Sequence, residues 1–195
     1  MNFIMLKNDK KKHLSEMTSA ELGQLFPIII SEPNPEWRNM FHIEKTKIIR
    51  SLGDQNLISI EHIGSTAIPG IKAKPTIDIL IEIPEEAHLN FIIKKITALD
   101  YYYISQPENP PPHMMFAKGY TTKGYKGQAF HIHVRYKGDW DELHFRDYLL
   151  THPEEVRKYE KLKLELAEKY KNDRDEYTNQ KGDFINRINK QARKI

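Results

Sequence analysis

Polar and apolar residues alternate most regularly between Thr76 and Ile83. The isoleucines of this run fall on one side of it, and Asp78, Leu80 and Glu82 fall on the other. Because successive side chains of a β-strand point to opposite faces, the alternation predicts a strand. Shorter alternating runs predict further strands at residues 57–63, 101–104, 114–120 and 128–136, with 121–127 connecting the last two.

Apolar residues at helical spacing predict helices before, between and after these strands. Thr18 followed by Glu21 forms a capping box, which predicts a short helix ending near Phe26. A longer helix is predicted between Pro35, which suits a first helical turn, and Gly53, which ends it. Further helices are predicted at residues 84–99, 141–150, 153–170 and 177–188.

Together these elements predict an α+β fold: a mixed β-sheet of about five strands, flanking helices and a helical C-terminal region. The length of 195 residues suits one domain. We expect residues 1–17 to be a loose N-terminal leader. Residues 18–195 are predicted to form a single domain, of which 141–195 are helical.

Composition narrows the classes of function. The chain has no cysteine, which excludes disulfides, thiolate zinc sites and cysteine nucleophiles. It has no run of about 18 apolar residues and its start is charged, so we expect a cytoplasmic protein without a membrane span or a signal peptide. The net charge is +3, and the 12 basic and nine acidic residues from His152 onward alternate in sign, as on a solvated helix face. We therefore do not expect nucleic acid as a partner.

Candidate chemistry is concentrated around the turn that follows the first predicted strand. Backbone amides at Gly64 and Ser65, with the hydroxyl groups of Ser65 and Thr66, can hold phosphate oxygens. Lys74 can neutralise those phosphates, and Asp78 on the neighbouring strand can hold Mg²⁺ or Mn²⁺ against them. In the alternative interpretation, the glycine and serine only turn the chain and Asp78 caps a backbone group.

Two histidines share one face of the last predicted strand. One residue separates His131 from His133, so their side chains stand about 6.6 Å apart along the strand. They can ligate a metal ion, bind phosphate as imidazolium, or act as acid and base. With Asp78 they are the candidate catalytic residues. The alternative is that they are two polar residues on a half-exposed strand.

Gly64, Ser65 and Asp78 resemble the pattern of the nucleotidyltransferase superfamily, in which a Gly-Ser turn precedes an Asp-hydrophobic-Asp strand. The chain resembles more closely the GrpB family, a group of small proteins placed in that superfamily by fold. The resemblance extends roughly from Thr18 to Ile188. The stretches that carry it are 34–37 (NPEW), 61–70 (EHIGSTAIPG), 74–80 (KPTIDIL), 130–134 (FHIHV) and 145–149 (FRDYL).

The resemblance implies a protein that binds a nucleotide, or another phosphorylated small molecule, with Mg²⁺ or Mn²⁺ and transfers a nucleotidyl group to an acceptor. The chain departs from the superfamily pattern at Leu80, where a second metal-binding carboxylate would stand. Glu82 is either a partial substitute for that ligand or a mark of the strand's exposed end. The alternative function is therefore a non-catalytic module that binds a ligand or a partner at a degenerate site.

Overall fold

The computed structural model describes residues 13–194. In chain order the elements are α1 (Ser19–Leu25), α2 (Glu36–Leu52), β1 (Ser59–Ile63), β2 (Thr76–Ile83), α3 (Leu89–Thr97), β3 (Tyr102–Ser105), β4 (Met114–Thr121), β5 (Gly124–Tyr136), α4 (Asp141–Thr151), α5 (Pro153–Lys169), α6 (Arg174–Asn179) and α7 (Gly182–Ala192). Short 3₁₀ turns lie at Leu14–Glu16, Asp54–Asn56 and Ser65–Ala67.

The five strands form one mixed sheet in the order β1-β2-β5-β4-β3. The central pair, β2 and β5, is parallel, and the other three pairs are antiparallel. A parallel pair needs a long crossover, which the chain supplies with α3 and the hairpin of β3 and β4. The arrangement confirms the predicted α+β fold with a mixed sheet of five strands and flanking helices.

One face of the sheet packs against α2 and α3 and carries the main core. The isoleucines of β2 are fully buried there, as the alternation predicts. From the helices, Trp37, Phe41 and Ile48 of α2 and Ile92 and Ile96 of α3 cover them. The polar side chains Asp78 of β2 and His131 and His133 of β5 therefore lie on the opposite face of the sheet.

The helices after the sheet pack on one another and on the segment between β1 and β2. Phe145 and Leu149 of α4 meet Tyr159 of α5 and Ile188 of α7, and Ile71 from the inter-strand segment joins them. Tyr177 of α6 packs on Leu166 of α5 and on Ile28. As a result α5, α6 and the start of α7 lie over the polar face of the sheet. No helix within residues 13–194 has both the length and the apolar character to cross a bilayer.

Three boundaries differ from the prediction. The helix predicted at 84–99 begins only at Leu89, because the preceding residues form a turn in which the Ala87 amide donates to the Pro84 carbonyl. The connection predicted at 121–127 is much tighter, because Gly124 adopts a φ of +103° and starts β5 directly. The last predicted helix is divided into α6 and α7.

The structure describes only part of the predicted N-terminal leader, namely residues 13–17. Residues 1–12 of the predicted leader lie outside the described residues. Leu14–Glu16 form a 3₁₀ turn, and the His13 side chain caps it by accepting the Ser15 amide. The predicted capping box is confirmed, because the Thr18 hydroxyl accepts the Glu21 amide at 3.2 Å.

Candidate functional site

A cavity of about 580 Å³ lies between the polar face of the sheet and the C-terminal helices. The sheet and the segment before β2 contribute Ser65, Lys74, Asp78, His131 and His133. The helical side contributes Lys163, Arg174, Tyr177 and Lys181. Four Lys and Arg side chains thus line it against two aspartates, Asp78 and Asp175. We call it the cationic cavity.

Asp78 is the acidic centre of this cavity. Its Oδ1 lies 3.2 Å from Nδ1 of His131 and 3.8 Å from Nε2 of His133. The parallel register of β2 and β5 pairs Asp78 with His131, which explains the shorter contact. Burial alone would raise the pKa of Asp78, but the two imidazoles outweigh it and hold that pKa well below its usual range. Asp78 is therefore a carboxylate at neutral pH.

His131 lies between Asp78 and Tyr120. Its Nε2 is 2.7 Å from the Tyr120 hydroxyl, and the two rings are nearly parallel. Because an ionised carboxylate can only accept, Asp78 fixes the imidazole proton on Nδ1, and Nε2 accepts from Tyr120. Burial lowers the pKa of His131, and the contact with Asp78 opposes this effect. A neutral imidazole oriented by a carboxylate is suited to general acid–base chemistry.

The turn before β2 brings two of its three predicted residues to the site. Ser65 lines the cationic cavity, and Gly64 packs directly against the Asp78 carboxylate. Thr66 is buried instead, and its hydroxyl donates to the carbonyl of Thr76 at 3.1 Å. The structure therefore gives the Thr66 hydroxyl a structural contact rather than a place in the cavity wall.

Three lysines in the cavity have lowered pKa values. Lys163 is only 2% exposed, and its Nζ donates to the carbonyl of Lys72 at 2.5 Å. Burial lowers the pKa of Lys163 to about 7 and, with repulsion from Arg174, the pKa of Lys74 to about 8. Burial also lowers the pKa of Lys181. The predicted residue Lys74 thus belongs to a larger group of desolvated cations.

Glu82 lies outside the cationic cavity. It is only 8% exposed, which corrects the expectation that it marks an exposed strand end. One carboxylate oxygen accepts the Ser59 hydroxyl at 2.7 Å, and the other accepts the Gly138 amide at 3.0 Å. It lies four positions along the extended strand from Asp78, a distance of about 13 Å. Glu82 therefore connects β1, β2 and the segment before α4 rather than facing the site.

The side chains present do not fit a two-metal centre. Leu80 is fully buried and supplies no oxygen where the second carboxylate would stand. Within residues 13–194, no group of three or more His, Asp and Glu side chains is placed to hold a metal ion. Mg²⁺ prefers several oxygen ligands, whereas Asp78 is a single carboxylate in contact with two imidazoles.

A protein-family model described as "GrpB protein" matches residues 27–191, a range that includes every residue lining the cationic cavity. The chain belongs to the GrpB family. The glutamate-rich protein GrpB of Alkalihalophilus pseudofirmus is 36% identical to it over 176 residues, which are 88% of this chain and 98% of that protein. A UPF0157 protein of Pseudomonas aeruginosa is 36% identical over 156 residues, which are 80% of this chain and 63% of that protein.

A solved structure agrees with this assignment. The crystal structure of conserved protein GrpB from Enterococcus faecalis matches with a TM-score of 0.73 and 28% identity, covering 84% of this chain and 96% of that one. The resemblance to the GrpB family, which the sequence motifs indicate, is therefore confirmed. None of these names states a substrate.

Several residues at this GrpB site are not among the sequence-derived candidates, and those used in the argument below are Tyr120, Lys163, Arg174 and Lys181. For Lys163 the sequence does hold a signal. It lies four residues after Tyr159 and three before Leu166, within the apolar stripe of α5, where a charged side chain is rarely buried without a purpose. Arg174 and Lys181 have no comparable signal, because only the packing of α6 and the start of α7 over the sheet brings them to the site. Tyr120 reaches His131 through the pairing of β4 with β5.

Proposed function

We propose that this protein binds a phosphorylated small molecule in the cationic cavity, with a nucleotide as the first candidate. The observation that carries the proposal is Lys163, an almost fully buried lysine in a cavity wall, with a pKa of about 7 that leaves it partly charged at neutral pH. Its Nζ donates to a backbone carbonyl, and no carboxylate of the described residues forms an ion pair with it. A buried charge without a counter-ion is costly to a folded protein. A bound anion removes that cost.

The neighbours of Lys163 support the same proposal. Burial is the main cause of the lowered pKa values of Lys163 and Lys74. Repulsion from Lys181 lowers both further and Arg174 adds to the effect on Lys74, while attraction to Glu160 and to Asp78 opposes it at Lys163 and Lys74 respectively. The fold therefore holds several cations together against their mutual repulsion. Phosphate oxygens satisfy such a group well, since each accepts charge-assisted hydrogen bonds from lysine or arginine. Ser65 adds a neutral donor at the same wall.

The test is calorimetric titration and thermal unfolding with ATP, GTP, CTP and UTP at pH 7, each with EDTA, Mg²⁺ or Mn²⁺. A ligand at 100 times its dissociation constant adds about 2.7 kcal/mol of stability. We expect Lys163→Met to weaken binding by about tenfold or more, because it removes the buried charge at similar volume.

Lys161→Met is the matched control for this experiment. Lys161 lies two residues away on the same helix, with its side chain 79% exposed and paired only to Glu165. This variant should bind as the wild type does. Failure of every nucleotide to bind the wild type, or equal binding by Lys163→Met, contradicts the proposal.

Nucleotidyl transfer is the second candidate function. One observation favours it: the Gly64 turn presses against an ionised Asp78, and Ser65 and Asp78 share the cavity wall. In this proposal a divalent cation, Mg²⁺ or Mn²⁺, arrives with the nucleotide, and Asp78 contacts it. His133 would accept the proton of the acceptor group, because Nε2 of His131 beside it already accepts from the Tyr120 hydroxyl.

Incorporation of label from α-³²P nucleoside triphosphates into small-molecule and protein fractions tests this second function. The wild type should transfer label only with a divalent cation, and Asp78→Ala should not. Retention of cation-dependent binding and transfer by Asp78→Ala would show that the role given to Asp78 is wrong. Binding without any transfer would leave the protein as a ligand-binding module.

A further inference from the structure

A second cavity adjoins the cationic cavity on the same face of the sheet. Its volume is about 500 Å³, and it lies over β3 and β4 next to α1. Four aromatic side chains contribute to its lining, namely Phe26, Tyr102, Tyr103 and Tyr120. Ile104 and Leu22 are among its aliphatic residues. We call it the aromatic cavity.

The two cavities share part of their walls. Met115, His131 and Arg174 line both of them. The Arg174 guanidinium lies 5.6 Å from the centre of the Tyr120 ring and donates to the Phe26 carbonyl at 3.2 Å. Arg174 is thus fixed by the aromatic cavity while also lining the cationic cavity. A ligand that extends past these shared residues contacts both chemical environments.

The walls of the aromatic cavity suit a flat, apolar group. Tyr102 and Ile104 remain 43% and 37% exposed although they are large and apolar, and they lie on the edge strand β3. Exposed apolar side chains within a concave surface are typical of ligand sites. A planar ring also gains stacking energy on tyrosine rings in a way that a sugar phosphate does not.

From this juxtaposition we propose that the aromatic cavity holds the planar ring of the same ligand whose phosphates occupy the cationic cavity. This inference rests on the proposed function. It narrows the ligand from any phosphorylated molecule to one with an aromatic ring system joined to its phosphates by a short linker, as in a nucleoside phosphate. The base then lies over β3 and β4, and the phosphates lie beside Lys74 and Lys163.

The experiment compares ATP with inorganic tripolyphosphate, which carries the same phosphate chain without a ring, by calorimetric titration at one pH and ionic strength. ATP should bind about tenfold more tightly or better, as expected for one stacked base. Tyr102→Ala should remove most of this preference and leave tripolyphosphate binding unchanged. Ile104→Ala, a second exposed position in the same cavity, should act in the same direction.

Phe91→Ala is the control, since Phe91 is 37% exposed on α3 and does not line either cavity. Equal binding of ATP and tripolyphosphate overturns the ring site but leaves the phosphate site intact. Binding of neither ligand overturns both proposals. Sedimentation velocity adds a further outcome. If the protein self-associates, and Tyr102→Ala abolishes the association while ATP binding is unchanged, the aromatic cavity binds a second copy of this chain. That result overturns the ring site.

Discussion

Gly64 and Asp78 are in direct contact, so that a β carbon at position 64 would lie 2.6 Å from Oδ2 of Asp78. The contact arises because β1 pairs antiparallel with β2, and the pair Ile63 and Asp78 ends that ladder just before the turn. Gly64 has φ +68° and ψ −171°, a region that side chains with a β carbon almost never adopt. Glycine is thus required at this position both for backbone conformation and for the space that the carboxylate fills.

Gly64→Ala is expected to lower the free energy of unfolding by about 2–3 kcal/mol, since it adds backbone strain to the displacement of the half-buried Asp78 carboxylate. Urea unfolding at pH 7 measures the change. Gly70→Ala is the control: Gly70 also has a positive φ, +77°, but nothing lies within 4 Å of its added β carbon. It should cost about 1 kcal/mol from backbone strain alone.

A double-mutant cycle separates the two causes at position 64. In an Asp78→Ala background the carboxylate is absent, so Gly64→Ala should cost less than it does in the wild type. The histidine resonances of the single variant should also shift, because Asp78 orients His131. Fully additive losses would show that the contact with Asp78 contributes nothing beyond backbone strain.

The half of the site that lies on the sheet is predictable from the sequence, and the helical half is not. The alternation in β2 assigns Asp78 to the face opposite the isoleucine core, and the spacing of His131 and His133 assigns both to one face of β5. No local sequence pattern predicts that β2 and β5 are neighbours in the sheet, because 47 residues of chain lie between Ile83 and His131. Arg174 reaches the site only through the packing of the last helices.

Stability should depend on pH through Lys163. Its pKa is about 7 in the folded protein against 10.5 as a free side chain. Between these values the unfolded chain binds more protons, so folding becomes more favourable as pH rises, by up to about 1.4 kcal/mol per pH unit. Below pH 7 Lys163 is charged in the folded protein as well, so the full free-energy cost of burying the charge lowers the stability.

Lys163→Met removes this titration. The variant should exceed the wild type in unfolding free energy most at pH 6, and its advantage should shrink as pH rises from 7 to 9. Urea unfolding at half-unit pH intervals measures the difference, in which other titrations largely cancel. The difference between Lys161→Met and wild type should not vary with pH. A constant difference for Lys163→Met would show that Lys163 is not charged and desolvated in the folded state.

Nucleotide binding should be accompanied by proton uptake. At pH 8 Lys163 is mostly neutral and Lys74 is about half protonated, from their pKa values of about 7 and 8. A bound triphosphate favours the charged form of both and raises their pKa values. Calorimetry in buffers of different ionisation enthalpy should show about one proton taken up at pH 8 and almost none at pH 6. Uptake that persists unchanged in Lys163→Met would exclude Lys163 from contact with the phosphates.

Asp78→Asn distinguishes an anion site from a cation-assisted one. Removing the one carboxylate beside His131 leaves the cationic cavity more positive, so metal-free ATP should bind about three- to tenfold more tightly. The pKa of His131 should fall further, because the Asp78 charge is what raises it against burial. Any gain in ATP affinity on adding Mg²⁺ should disappear in this variant.

Asp175→Asn, which removes a second carboxylate from the same cavity, should strengthen metal-free binding but leave the His131 titration and the effect of Mg²⁺ unchanged. Retention of the Mg²⁺ effect by Asp78→Asn would remove Asp78 from any role with a cation and leave it only as the residue that orients His131.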